Sequence, residues 1–500
     1  MNRNIINRFN TIISLLLISS FLVAARQKSI TILYTNDIHA NFLPHNPSWQ
    51  KVNKDRLIGG FNELCFAVDS IRKIRKQVFL FDAGDIMTGT PITEYEFKHA
   101  KGGALFEMMN LIGYDACTLG NHDFDISKRN LINLIKIAKF PALCANLKDT
   151  IELELDSLII PFKIFQRHNT RIAVIGLMTI EFHQLVNKRN TSGIAIYEPA
   201  SILQRWIDSI NQHVDLIVAL THQGFYNDSI LATRVNGLNI IIGGHSHTRL
   251  KKPKVINGVI IVQAGKNCEY LGILDIQFDK KTIIKFRSEI LPLWYNPSHK
   301  SLIAGFVDSL GSAIEKDYGE VICTLKTSWQ RKHGESNVGN FIADAQREAV
   351  NADVAFMNSH GIRKNLPAGP VTKMNLFEVL PFHNILAKFE LTGKQIREIM
   401  EYYISNHPPI HISGIFCKYK KLHKQIDYVE FLVNGAPLDE NRTYTCTAND
   451  YLIQESKRYL GIEIANLTYL ETTLFSVVEK KMREQKEISA KIEKRIERIE

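Results

Sequence analysis

Seven side chains able to hold a metal ion stand at the tips of strand-like runs: Asp37, His39, Asp85, Asn121, His222, His245 and His247. The runs before them are Ile30–Tyr34, Val78–Phe81, the short Asp115–Leu119, Leu216–Leu220 and Ile240–Ile242. Carboxylate and imidazole together suit Zn, Mn, Fe or Co rather than calcium. Two such ions roughly 3.5–4 Å apart need an anion between them, and Asp85, the single carboxylate at its own tip, is the natural bridge. Alternation along an extended chain sends Asp37 and His39 to one side, and likewise His245 and His247. A water held between two ions loses a proton near neutral pH and can attack a phosphorus in line. His122 follows Asn121 directly, and Asp125 can hold its imidazole in one orientation. That pair would stabilise the transition state and protonate the leaving group. A lone histidine at a strand end is usually structural, but five such tips in one region argue for a shared metal site. His168, His183 and His213 fall outside the pattern and read as surface or structural residues.

Bringing those tips together requires parallel strands with their carboxyl ends on one edge. From Lys28 to about Asp279, strand-like runs alternate with helical patterns at Phe61–Arg75, Ala104–Leu111, Leu131–Ala138 and Ile202–Gln212. This alternation predicts an α/β layered fold, whose ligands bind outside the carboxyl ends of the strands. Leu302–Tyr318 is helical in pattern and connects to a second, α+β body that opens near Glu320. There Asn337–Val350 and Lys394–Tyr403 read as helices and Asp353–Met357 as a strand.

The expected division is a signal at 1–25, a catalytic domain at 26–300, a linker helix at 301–318, a second domain at 319–478 and a charged helical tail at 479–500. Arg3 and Arg8, the apolar Ile12–Val23 and the small residues Ala24-Ala25 form the pattern of a secretory signal, so the mature chain is expected in the periplasm or outside the cell. That apolar stretch is short for a membrane span, and no later one is longer. In the tail, Ile488, Ile492, Ile496 and Ile499 repeat at helical spacing. The net charge of +10 over 500 residues suits anionic small molecules without being a nucleic-acid signature. Seven cysteines occur without any CxxC spacing, which argues against a zinc knuckle and a disulfide framework.

Asp37-Ile38-His39, Gly84-Asp85, Gly120-Asn121-His122-Asp123, His222 and Gly244-His245-Ser246-His247 resemble the motifs of calcineurin-like metallophosphoesterases. More closely, with Glu335–Ala345, Asn358-Ser359-His360-Gly361-Ile362-Arg363, Leu380–Asn384 and Leu391-Thr392-Gly393, the chain resembles the two-domain 5′-nucleotidase / UDP-sugar hydrolase family over nearly all of 30–470. The resemblance implies a four-layer metallophosphoesterase sandwich followed by a smaller α+β domain. It implies two divalent metals, one held by Asp37, His39, Asp85 and His247, the other by Asp85, Asn121, His222 and His245, with His122 and Asp125 as catalytic dyad. It assigns the substrate to the second domain: Asn358 and Arg363 toward phosphate and ribose, a basic residue near Lys332, and Tyr459 where an aromatic ring stacks on the base.

The chain departs from the family pattern at Asp123, where Glu is frequent, and at Glu455-Ser456-Lys457-Arg458, which replaces a Gly-Gly-Asp-Gly segment. Lys457 stands where an Asp would bind ribose hydroxyls, and Lys457 and Arg458 favour a more anionic ligand. Pro409 or Ile410 stands near the position of the second stacking ring. The expected activity is metal-dependent hydrolysis of nucleoside 5′-monophosphates or related nucleotides. The alternatives are 2′,3′-cyclic nucleotides, nucleotide sugars, a non-nucleotide phosphate ester, or a metal-binding scaffold without turnover.

Overall fold

Every residue of the strands Val78–Asp82 and Leu216–His222 is buried, as required of strands covered on both faces. Val78–Asp82 pairs in parallel with Lys28–Thr35 on one side and Ala116–Thr118 on the other. Tyr270–Asp279 and Thr282–Pro292 extend this seven-stranded sheet by antiparallel pairing beyond Lys28–Thr35. A second, six-stranded sheet pairs Thr170–Met178, Leu216–His222, Ile240–Gly243 and Val259–Val262 in parallel. The computed structural model describes residues 28–47, 56–151, 153–332, 334–422 and 425–499, so the expected export signal lies outside the described residues.

Side-chain alternation turns the two sheets into four layers. Ile32, Tyr34, Phe79 and Phe81 meet Val174, Val218, Leu220 and Ile242 in one core between the sheets. Their neighbours Leu33 and Leu80 point the other way, onto Leu64, Leu105 and Leu131 of the helices Phe61–Ile74, Gly103–Ile112 and Lys128–Ile137. Ile175, Ile217 and Ile241 of the second sheet pack on Leu203, Ile207 and Leu231 of Pro199–Ile210 and Phe225–Arg234. Each large side chain removed from water here contributes about 1.5–3 kcal/mol. This helix–sheet–sheet–helix sandwich, followed by an α+β body, is the architecture the sequence implied.

Helix Ala304–Tyr318 carries the chain to the second body. Its five-stranded sheet runs in the order Ile410–Ser413, Val354–Asn358, Thr443–Asn449, Ile385–Thr392, Thr468–Thr473. Helices Asn337–Val350 and Gly393–Asn406 pack on it.

The expected helical tail is a correction. Helix Leu474–Gln485 ends at Lys486, whose φ is +58°. Glu487–Ile488 then pairs in parallel with Val321–Leu325, and Ile496–Arg498 with Ile415–Leu422. Two open sheet edges each take part of this segment, and Ile488 is buried against one of them. Arg495 is also buried and donates to the carbonyl of Ile412 at 2.6 Å and to Asp344 at 2.7 Å. All seven cysteines are buried and unpaired with one another. Among the described residues no helix is long and apolar enough to cross a membrane.

Candidate active site

The carboxyl ends of Lys28–Thr35, Val78–Asp82 and Ala116–Thr118 in one sheet, and of Leu216–His222 and Ile240–Gly243 in the other, open onto one another. The loops after them turn back sharply. Asp37, His39, Asp85, His245 and His247 all have positive φ, between +49° and +74°. Non-glycine residues hold such angles at a cost, and the surrounding hydrogen bonds enforce it here. His39 N–H donates to the carbonyl of Asp85 at 3.0 Å, Asp37 N–H to that of Gly84 at 2.9 Å, and His245 N–H to the Asp37 carboxylate at 3.0 Å.

Two donor groups result. Asp37, His39 and His247 form one, with ligand atoms all within 4.8 Å of one another, and Asp85, His222 and His245 form the other. His39 Nδ1 lies 3.1 Å from the carbonyl of Thr88 and His222 Nδ1 2.8 Å from that of Ala83. Each contact holds Nδ1, so that Nε2 is the nitrogen that faces the site. His39 Nε2 and His247 Nε2 face each other at 2.9 Å. Asp85 Oδ1 accepts the N–H of His122 at 2.8 Å, while Oδ2 lies 3.1 Å from His222 Nε2 and 3.9 Å from His39 Nε2. Asp85 therefore reaches both groups. The buried Asn121 Oδ1 has no hydrogen-bond partner among the described residues.

Electrostatics describe the same donors. Burial holds His39 down to about 3 and His245 to about 4, and lowers His247 further. These imidazoles are neutral ligands at ordinary pH. Burial pushes the Asp37 carboxyl up to about 7. Burial acts the same way on Asp85, but His222, His122 and His39 outweigh it and hold Asp85 well below the carboxylate range. Burial disfavours the charged form of His222, yet Asp85 raises it to about 10. Facing lone pairs, an orphaned amide oxygen and buried carboxylates fit divalent cations.

His122 Nδ1 is 2.7 Å from Asp125 Oδ2, which also accepts the Thr88 hydroxyl at 2.8 Å. The His122 ring stacks on Phe382 of the second body, centroids 5.7 Å apart. The Arg363 guanidinium lies 5.7 Å from the same Phe382 centroid. Asp85, Asn121, His122, Asn358, Arg363 and Tyr459 border one cavity of about 410 Å³ between the two bodies. Glu94–His383 and Arg189–Asp450, at 2.7 and 3.4 Å, hold the bodies together beside it.

Residues 30–249 match the family model for calcineurin-like phosphoesterases, and residues 317–461 match that for the 5′-nucleotidase C-terminal domain. The 5′-nucleotidase of Homo sapiens is 30% identical over 454 residues, covering 81% of this chain and 78% of that protein. The chain belongs to the 5′-nucleotidase family. A 5′-nucleotidase precursor from Thermus thermophilus has the same fold, with a TM-score of 0.81 at 26% identity over 94% of this chain and 99% of that one. A trifunctional nucleotide phosphoesterase of Bacillus subtilis is 30% identical over 427 residues, and this chain spans 28% of its length. As a 5′-nucleotidase-family protein the chain is a phosphoric ester hydrolase that uses divalent metal.

Within this 5′-nucleotidase fold the expected metal, dyad and substrate residues converge, with Lys332 the exception. Lys332 is exposed and away from the cavity. Its neighbour Arg331 is exposed as well, but donates to the carbonyl of Arg363 at 2.9 Å. Tyr459 borders the cavity but is 2% exposed, its ring set edge-on to Tyr451. It offers a rim rather than an open stacking face.

Two positioning residues were not singled out for any role in the site. Asn36 donates to Asp37 Oδ2 at 2.6 Å and to the carbonyl of Gly265, and accepts from Ala264 N–H. Asp123 accepts from the N–H groups of Ile86, Met87 and Gly120, tying two ligand loops together. Its adjacency to Asn121 and His122 in the motif was the available signal.

Proposed function

We propose that this chain hydrolyses nucleoside 5′-monophosphates or related nucleotides to nucleoside and phosphate, using two divalent ions bridged by Asp85. The carrying observation is the shared cavity: Arg363 and Asn358 of the second body face His122 and the two donor groups of the first. Divalent ions bound there would activate water and neutralise phosphate oxygens.

The chain's own residues supply the rest. The planar fork of Arg363 suits a phosphate, and no carboxylate pairs with it among the described residues. Asn449 donates to Asn358 Oδ1 at 2.8 Å, which leaves the Asn358 amide N–H groups for substrate. Asp125 binds His122 at Nδ1, so Nε2 remains to give a proton to the departing oxygen. The basic and apolar pattern of residues 3–25 supports export.

The test is phosphate release from AMP, UMP, a 2′,3′-cyclic nucleotide, UDP-glucose and p-nitrophenyl phosphate, with Mn, Zn or Co added. Preference for the 5′-monophosphates upholds the reading. Equal turnover of p-nitrophenyl phosphate would remove the nucleoside from it.

A further inference from the structure

We propose that Arg458, beside the Tyr459–His360 pair, forms an anion subsite at the end of the cavity away from the metal donors. It selects phosphate esters carrying a second phosphate on the part of the molecule left behind. The inference rests on the hydrolase reading above and names its substrate class more narrowly.

The cavity has two cationic ends. At the near end, Arg363 and His122 both lie against Phe382, and the carboxylates acting on Arg363 are Asp85, Asp125 and Asp37. At the far end the Arg458 guanidinium lies 5.8 Å from the Tyr459 ring centroid, and the Tyr459 hydroxyl is 3.3 Å from His360 Nδ1. Arg458 and, in the opposite direction, Glu455 outside the cavity lining act on the phenols of Tyr451 and Tyr459. No carboxylate pairs with it among the described residues.

The acidic side chains bordering the cavity are Asp85 and Asp125, both at the near end. Opposite them the wall contributed by the second body carries cations, imidazoles, amides and phenols, and no carboxylate among the described residues. The amides, phenols and imidazoles can serve a sugar hydroxyl, whereas the charge of Arg458 is met only by an anion. A phosphate needs donors, which the Arg458 fork provides.

Lys457 takes no part. It is 80% exposed, loosely paired with Glu463 at 4.0 Å, and borders a different groove. The sequence offered Lys457 and Arg458 together as anion binders; the geometry separates them. The cavity volume of about 410 Å³ falls within the range of nucleotide-sized sites.

The test compares kcat/KM for 5′-phosphate release from adenosine 3′,5′-bisphosphate with that for AMP. Wild type should favour the bisphosphate by at least ~10-fold, the value of one charge-assisted contact. The ratio should collapse toward unity in Arg458→Gln and in Arg458→Gly, and recover in part in Arg458→Lys. Lys457→Gln should leave the ratio where it was, which a general effect of surface charge would not. A wild-type ratio at or below unity overturns the proposal, as does a ratio that Arg458→Gln does not move. If neither nucleotide turns over, the hydrolase reading falls separately. The same ratio is then read from calorimetric affinities of the two ligands, with the same outcomes deciding the subsite.

Discussion

Asp85 and His222 face each other across the gap between the two sheets, carboxylate Oδ2 to imidazole Nε2, at 3.1 Å. Each comes from a strand end in a different sheet. The contact that joins the sheets at this edge is therefore part of the candidate metal centre, and stability and chemistry are tied there.

Metal analysis of the purified chain should find two divalent ions per molecule. Asp85→Asn should retain fewer and lose at least ~100-fold in kcat, since even outer partners of ligands cost 10–100-fold. A wild-type chain that holds a single ion at saturation would end the bridging role of Asp85.

His122→Ala should lower kcat by about 10²–10⁴ while metal content stays the same. Asp125→Asn should fall between that variant and wild type, because the ring keeps its stacking on Phe382 but loses its fixed tautomer. Phosphate-release rates beside metal analysis decide it. A His122→Ala rate within twofold of wild type would remove His122 from the reaction.

Gly120 has no room for a side chain. A Cβ there would lie 2.1 Å from Asp85 Oδ1 and 2.2 Å from Asp85 N. Gly120→Ala should cost more than about 2 kcal/mol and release metal. Gly305, in helix Ala304–Tyr318, has open space at the same atom, so Gly305→Ala should be neutral or stabilise by up to about 1 kcal/mol. Denaturant midpoints of both variants are the measurement, and equal midpoints would contradict the packing.

His411 predicts an acid limb of stability. Burial, reinforced by Arg495 and Arg331, lowers its pKa to about 4. Between the ordinary imidazole value and about 4 the unfolded chain binds a proton that the folded chain refuses. Stability should therefore rise with pH across that window, by on the order of 1–3 kcal/mol. His411→Phe should flatten this part of the curve of denaturant midpoint against pH. An unchanged slope would mean that His411 takes up its proton in place.

Much of this was legible because buried strands and their polar tips repeat a simple grammar. Val78–Phe81 is apolar until the strand ends at Asp82, which Thr35 and Gly84 N–H hold in place, and Asp85 follows on the loop that reaches the donor groups. The helix Asn337–Val350 has the expected bounds; Ser336 caps it and Asn351 ends it in a left-handed turn. Contacts between the bodies were not legible. That Phe382 rather than a nearer residue stacks on His122, or that Arg331 rather than Lys332 reaches the Arg363 carbonyl, depends on chain placement that local pattern does not encode. The tail misled for another reason. Isoleucines four apart fit a helix, but two sheet edges elsewhere in the fold offered more burial than a solitary helix could.

Those two edges also set an order of assembly during synthesis. Val321–Leu325 opens the second domain, yet one of its neighbours is Glu487–Ile488, more than 150 residues later. The ribosome delivers residues at about 5–20 per second, so the opening strand waits many seconds with that side uncovered. The sandwich of the first domain can close while the second is still emerging. The second closes its sheet edges only after Glu487–Arg498 has been made, so its last contacts, Arg495 to Asp344 among them, form after those of the sandwich.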